Sequence, residues 1–232
     1  PGRTTAFRVA EVRPQVNGII LKRLFTEGTD VKAGQQLYQI DPAVYEASLN
    51  SAKATFDATN SLAGRYKQLI NEQAVSRQEY DTAVGNAREA KAAVQTAEIN
   101  LRYTKVYAPI SGRIGRSLVT EGALVSNGQA DAMATIQQLD PIYVDVIQSS
   151  TEMLRLRREL ESGKLQKAGD NAAQVKLTLE DDSQYPIDRT LEFSAVSVDQ
   201  STGSVTLRAG LPHPNPPLLP GMLGPHRRHS VV

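Results

Sequence analysis

Side chains able to do chemistry are few in this 232-residue chain. Its histidines, His213, His226 and His229, fall among prolines 212, 214, 216, 217, 220 and 225. Three imidazoles could hold a metal, but a stretch so rich in proline reads better as an irregular tail carrying unrelated histidines. Cysteine is absent, which removes thiol catalysis, cysteine-ligated zinc or iron–sulfur sites and disulfides, and leaves the redox compartment open. The chain has no Gly-x-Ser-x-Gly elbow, no P-loop and no His-Glu-x-x-His helix. Glu180, Asp181 and Asp182 fit a solvated turn better than an acid/base pair. Gly112-Arg113-Ile114-Gly115 has the spacing of a nucleic-acid-binding loop. With 26 basic against 25 acidic residues, no tryptophan and 5% aromatics, however, there is neither the charge nor the stacking surface for a nucleic-acid partner. The expectation is a protein that is not an enzyme and uses no cofactor or metal.

A duplication gives that glycine loop its proper context. Gly18-Ile19-Ile20-Leu21-Lys22-Arg23-Leu24-Phe25-Thr26-Glu27-Gly28 recurs as Gly112-Arg113-Ile114-Gly115-Arg116-Ser117-Leu118-Val119-Thr120-Glu121-Gly122. Val31, Gly34 and Gln35 match Val125, Gly128 and Gln129 in the same register. Glycines therefore recur where a short-stranded unit needs tight turns or positive φ. Val12 and Val16 before the first copy correspond to Val106 and Ile110 before the second, the alternation of half-buried strands.

Between the copies, residues 42–103 change texture to Ala, Gln, Glu, Lys and Arg. Tyr45, Leu49, Ala52, Phe56, Thr59, Ala63, Tyr66 and Ile70 keep the three-and-four spacing of a heptad seam, and Tyr80, Ala83, Ala87, Ala90, Val94, Ala97 and Leu101 form a second. Asp41-Pro42 supplies an N-cap with proline at the first helical position. The break lies near residues 71–76, where Ser76 and Glu79 form a capping box that starts the returning helix. Two facing seams predict an antiparallel helical hairpin. At about 28 residues per arm it would extend roughly 42 Å, too thin to be a globular core.

After Asp140 the texture is β again, with strands expected over 141–146, 175–179, 191–193 and 204–208, and a short helix opened by a Ser149–Glu152 capping box and ending near 160. These elements suggest a small barrel, closed by an N-terminal strand over 4–9. Length allows one large domain or two to three small ones. No apolar run approaches the roughly 20 residues a membrane helix needs, so the chain reads as a soluble piece, processed or cut from something longer.

The two half-motifs look like halves of a lipoyl or biotinyl domain separated by the hairpin. Five segments carry a closer resemblance: Ala10-Glu11-Val12-Arg13-Pro14-Gln15-Val16, Leu37-Tyr38-Gln39-Ile40-Asp41-Pro42, Tyr103-Thr104-Lys105-Val106, Pro109-Ile110-Ser111-Gly112-Arg113-Ile114-Gly115 and Leu139-Asp140-Pro141-Ile142-Tyr143-Val144-Asp145-Val146. Together they resemble the periplasmic adaptors, or membrane fusion proteins, of RND multidrug efflux pumps of the MexA and AcrA type. The likeness runs from the start of the chain to about Met222.

The resemblance implies an elongated multidomain α+β protein. Its parts are a lipoyl-like β-sandwich (residues 9–41 and 104–139), an antiparallel coiled-coil α-hairpin (42–103), a β-barrel (1–8 and 140–221) and an irregular tail (222–232). It implies a periplasmic adaptor, associated with the inner membrane in the full-length protein. Such an adaptor self-associates into an oligomeric ring and couples an inner-membrane RND transporter to a TolC-like outer-membrane channel. The family's hairpin-tip pattern of Arg, Leu and Ser falls on Arg65, Leu69 and Ser76, the expected channel contacts. Leu69 also neighbours the seam, and Ser76 is also the helix cap. Past Leu219-Pro220-Gly221-Met222 the chain departs from the family pattern, as though its terminus were altered and the C-terminal membrane-proximal domain missing. That puts the closing barrel strand in doubt. The family's lipid-bearing N-terminal cysteine is also absent.

Two rival readings remain. A lipoyl or biotinyl carrier needs a lysine at the exposed turn between the halves, but Asp41-Pro42 and the hairpin stand there, and Ala132-Met133-Ala134 lacks one too. A structural coiled-coil spacer without efflux partners would share every pattern above.

Overall fold

The structure is a computed structural model that describes residues 2–149, 151, 154–155, 158, 167–169, 172–175, 189–192, 204–211, 219–221 and 223–224. In chain order the elements are β1 (Gly2–Val12), β2 (Gly18–Arg23), β3 (Asp30–Val31), β4 (Gln36–Ile40), α1 (Ala43–Leu69), α2 (Arg77–Tyr103), β5 (Lys105–Tyr107), β6 (Gly112–Ile114), β7 (Leu124–Val125) and β8 (Ala134–Ser149), followed by β9 (Lys167–Gly169), β10 (Ala172–Val175), β11 (Arg189–Glu192), β12 (Ser204–Leu211) and β13 (Leu223–Gly224). They form two compact units.

One unit, Glu11–Pro109 with Gly115–Thr135, holds the hairpin, the first copy of the motif and the second copy from Gly115 on. Its sheet runs β5-β4-β2-β7 and is antiparallel throughout, with Gly18 opposite Val125 and Ile20 opposite Ile40. Alternation places Ile20 and Val125 inward, and they are buried, as are Val12, Val16, Leu37, Ile40, Val106 and Met133. Ile110, expected beside Val106 in the alternation, is half-buried. Phe25 packs edge-on against Tyr38, ring centroids 5.3 Å apart. A phenol in such a core must find partners. Tyr38 Oη donates to the Met133 carbonyl at 3.1 Å and lies 2.6 Å from Ser117 Oγ, whose own proton goes to the Val119 carbonyl at 2.6 Å. Burial pushes the Tyr38 hydroxyl above its ordinary pKa.

The repeat is realised in geometry as well as in sequence. Gly28 and Gly122 take φ of 72° and 85°, and Gly34 and Gly128 take 81° and 79°. In each copy a glutamine side chain closes the second turn: Gln35 accepts the Lys32 amide at 3.1 Å, and Gln129 the Ser126 amide at 3.0 Å.

Every residue of both seams is buried or half-buried. Ala63, Ala83 and Ala87 form one cluster, onto which Leu62, Tyr66 and Val84 pack. Leu62 and Val84 lie one position off the strict heptad, so the contact is wider than the seam. Pro42 is the N-cap residue itself and not, as expected, the first helical residue, while Asp41 Oδ1 accepts the Ala43 amide at 3.0 Å. Helix ends shift by a residue in this way because cap and first turn share their hydrogen bonds. No helix among the described residues is long and apolar enough to cross a membrane.

The other unit comprises Pro1–Ala10, Ile110–Ile114 and Ile136–Val232. Its strands lie in the order β13-β1-β8-β12-β11-β10-β9, with β6 also pairing β8. The expected N-terminal strand is present as β1. Residues 110–114, expected in the lipoyl-like part, cluster here because β6 pairs Arg113 with Gln137 and Ile114 with Ile136. Gly112 permits that approach: a Cβ there would sit 2.4 Å from the Gln137 carbonyl oxygen. Ile142, Val144 and Val205 are buried. Above β8 and β12, Arg208 bonds Asp145 through both carboxylate oxygens at 2.7 and 3.0 Å and covers the Tyr143 ring. Thr5 adds a third bond to Asp145 at 3.0 Å.

The tail expected to be irregular over 222–232 differs where it is described. Leu223–Gly224 is a two-residue strand, with Gly224 opposite Gly2 and Leu223 opposite Arg3. Neither residue is proline, so both keep the donors a ladder needs. Just before it, the Gly221 amide bonds the Thr4 carbonyl at 2.9 Å, and Thr4 Oγ1 donates to the Leu219 carbonyl at 2.7 Å. The strand expected over 175–179 is described only at its first residue, where it ends β10, and β11 ends at Glu192. Ser149 closes β8. Glu152, the remainder of the 175–179 strand, Phe193, the turn at Glu180, Asp181 and Asp182, and His213, His226 and His229 lie outside the described residues.

Candidate functional site: the hairpin tip

The distal end of the hairpin is built by two helix termini and the turn between them. Leu69 is the last residue of α1, and Ile70 follows as its C-cap. The chain reverses through a 6→1 bond from the Ala74 amide to the Leu69 carbonyl, 3.0 Å, and a 5→2 bond from the Gln73 amide to the Ile70 carbonyl, 3.2 Å. This is a Schellman arrangement. Its left-handed position is held by Gln73, at φ 56°. Glycine is usual there, and its absence is why sequence could place the break but not the form of the turn.

Ser76 then caps α2 in an extended conformation. Its Oγ accepts the Glu79 amide at 3.2 Å and donates to Glu79 Oε2 at 2.8 Å, while the same oxygen accepts the Ser76 amide at 2.8 Å. The predicted capping box is thus complete. The bond from the Ser76 backbone amide, then that from its hydroxyl, holds the Glu79 carboxyl below the usual carboxylate range.

Arg65 and Ser76 are exposed and Leu69 is half-buried. Leu69 ends α1, Arg65 lies one turn before it, and Ser76 is the cap of α2. Beside them lies an open concavity whose lining includes Ile70, Gln73, Val75, Arg77, Tyr80 and Asp81. None of these six was singled out from sequence as a contact residue, although Ile70 and Tyr80 end the two seams. Among the described residues, no group of three or more His, Asp or Glu is placed to hold a metal ion.

A family model described as the barrel-sandwich hybrid domain of RND MFPs matches residues 8–137, and one described as the β-barrel domain of RND MFPs matches residues 141–227. This chain belongs to the RND MFP family. The family consists of membrane fusion proteins, not enzymes.

Its relatives bear this out. The chain is 72% identical over 222 residues to "Multidrug/solvent efflux pump periplasmic linker protein MepA" of Pseudomonas putida. It is 70% identical over 222 residues to "Multidrug resistance protein MexA" of Pseudomonas aeruginosa. Each alignment takes in 96% of this chain and 58% of the relative, so the chain spans little more than half the length of these proteins. Among solved structures it resembles a MacA-MexA chimeric protein containing the Pseudomonas aeruginosa MexA α-hairpin domain. That match has a TM-score of 0.77 at 30% identity, over 95% of this chain and 76% of that one. The RND MFP fold thus comprises the duplicated sandwich, the hairpin inserted between its halves and the β-strands that follow.

Proposed function

We propose that this chain acts as the periplasmic adaptor of a tripartite multidrug efflux pump, coupling an inner-membrane RND transporter to a TolC-like outer-membrane channel. In this reading it works in the periplasm, held at the inner membrane in the full-length protein and self-associated into a ring. The hairpin tip, with Arg65, Leu69 and Ser76, faces the channel. Arg65 offers a charge-assisted donor and Leu69 an apolar contact.

The observation that carries this is the 72% identity, across 96% of the chain, to a protein named as an efflux pump periplasmic linker. The tip geometry is compatible with it, since a packed two-helix arm ends in a hydrogen-bonded turn beside the exposed Arg65 and Ser76.

The test is complementation. An adaptor of full family length carrying this chain is expressed in a strain deleted for its own adaptor, with a photo-crosslinker in the turn 70–75. Restored drug resistance with crosslinks to the outer-membrane channel is expected. Unchanged susceptibility and no channel crosslink in a well-expressed protein would favour the spacer reading instead.

A further inference from the structure

Ser76 is exposed, yet its hydroxyl is already engaged on both sides. It accepts from the Glu79 amide and donates to the Glu79 carboxylate, and that carboxylate in turn holds the Ser76 amide. For the hydroxyl to donate to a partner it would have to give up its bond to Glu79 Oε2, one of the two that hold that carboxylate over the first turn of α2. The start of α2 carries Arg77, Tyr80 and Asp81, three of the seven residues lining the concavity at the tip, while the reversal before it carries Ile70, Asn71, Gln73 and Val75. Gln73 stands in a left-handed conformation that side chains seldom adopt, so the reversal depends on its two anchored ends. At one end the Ala74 amide is tied to the Leu69 carbonyl, and at the other Ser76 is tied to Glu79.

We infer that Ser76 and Glu79 serve channel docking as positioning residues, locking the start of α2 so that the concavity between Ile70 and Asp81 is presented in one shape. This rests on the tip being the channel-facing end. Its direct consequence is that Glu79, which no tip motif includes, matters to docking, and that the Ser76 hydroxyl is replaceable by any group that caps equally well.

The experiment compares tip-to-channel crosslinking yield in cells for Leu69→Ser, Ser76→Ala, Ser76→Asn, Glu79→Ala and Glu79→Gln in the full-length adaptor. Amide hydrogen exchange across residues 74–80 of the purified proteins reports the cap. Asparagine caps as well as serine, and glutamine can replace glutamate in the box. Ser76→Ala and Glu79→Ala are expected to lower the yield about fivefold, the size of a lost cap, with faster exchange at the tip. Ser76→Asn and Glu79→Gln should restore both. Equal loss in Ser76→Asn and Ser76→Ala, with the cap intact in the former, would mean that the hydroxyl itself touches the channel and would overturn the inference. Full yield in Ser76→Ala alongside loss in Leu69→Ser would also overturn it, leaving the tip reading in place. Full yield in Leu69→Ser as well would defeat the tip reading, and this inference with it.

Discussion

Glu27 and Glu121 occupy equivalent places in the two copies of the repeat, and each reaches across to the other copy. Glu27 Oε1 accepts the Ser117 amide at 3.0 Å, and Glu121 Oε1 accepts the Arg23 amide at 2.9 Å. Arg23 and Ser117 are themselves equivalent positions, so the exchange is reciprocal. Two chain segments separated by the whole hairpin are stitched by one bond used twice.

Replacing either glutamate with alanine should therefore weaken the sandwich, Glu27→Ala slightly more because Glu27 also pairs with Arg23. Both sites are solvent-accessible, which limits each effect to about 1 kcal/mol. Glu27→Gln and Glu121→Gln should recover most of the loss, since an amide oxygen still accepts. Urea denaturation of the four variants checks this, and no destabilisation by Glu121→Ala would contradict the reciprocal bond.

Gly112 and Gly28 should behave differently although both belong to the repeat. Alanine at Gly28 meets nothing within 4 Å and suffers only its positive φ of 72°, a cost of about 1–2 kcal/mol. Alanine at Gly112 would place its Cβ 2.4 Å from the Gln137 oxygen and must push β6 off β8. That should cost more, about 3 kcal/mol. Thermal melts of Gly28→Ala and Gly112→Ala compare the two, with the larger drop expected for Gly112→Ala.

The hairpin seam is narrow because alanine fills its α2 side: Ala83, Ala87, Ala90 and Ala97 are all buried. Ala87→Leu should force the helices apart and destabilise the arm by about 1–3 kcal/mol. Phe56→Asp, at a half-buried seam position, should do so by desolvating a charge. Loss of helical signal at 222 nm on heating should begin earlier in both. An unshifted melt would reject the seam assignment.

Acid should loosen the tip before the rest of the hairpin. The folded Glu79 carboxyl lies below its ordinary 4.5, so the folded state favours the charged form. The stabilisation is present above the ordinary carboxylate range and is lost as pH falls through the folded value. Amide exchange at residues 76–79, corrected for its intrinsic pH dependence, should lose protection as pH is lowered below the ordinary carboxylate range. Glu79→Gln should show no such step.

Much of this architecture was legible in the amino-acid sequence because periodicity is a local property. The three-and-four spacing from Tyr45 to Ile70 and from Tyr80 to Leu101 dictated two helices with facing stripes, since each residue advances a fixed angle about the axis. The register of the two Thr-Glu-Gly motifs dictated a duplicated β unit, and Ser76 with Glu79 dictated the helix start, because a capping box closes within four residues. What tertiary structure alone decided involves partners distant in the chain. Glu27 finding Ser117, Gly112 lying against Gln137 and Leu223 pairing with Arg3 depend on which backbone donors are left open once the strands are assembled. Even the turn at the tip belongs here: Gln73 takes a conformation that its side chain disfavours, between the Ala74–Leu69 bond on one side and the Ser76 cap on the other.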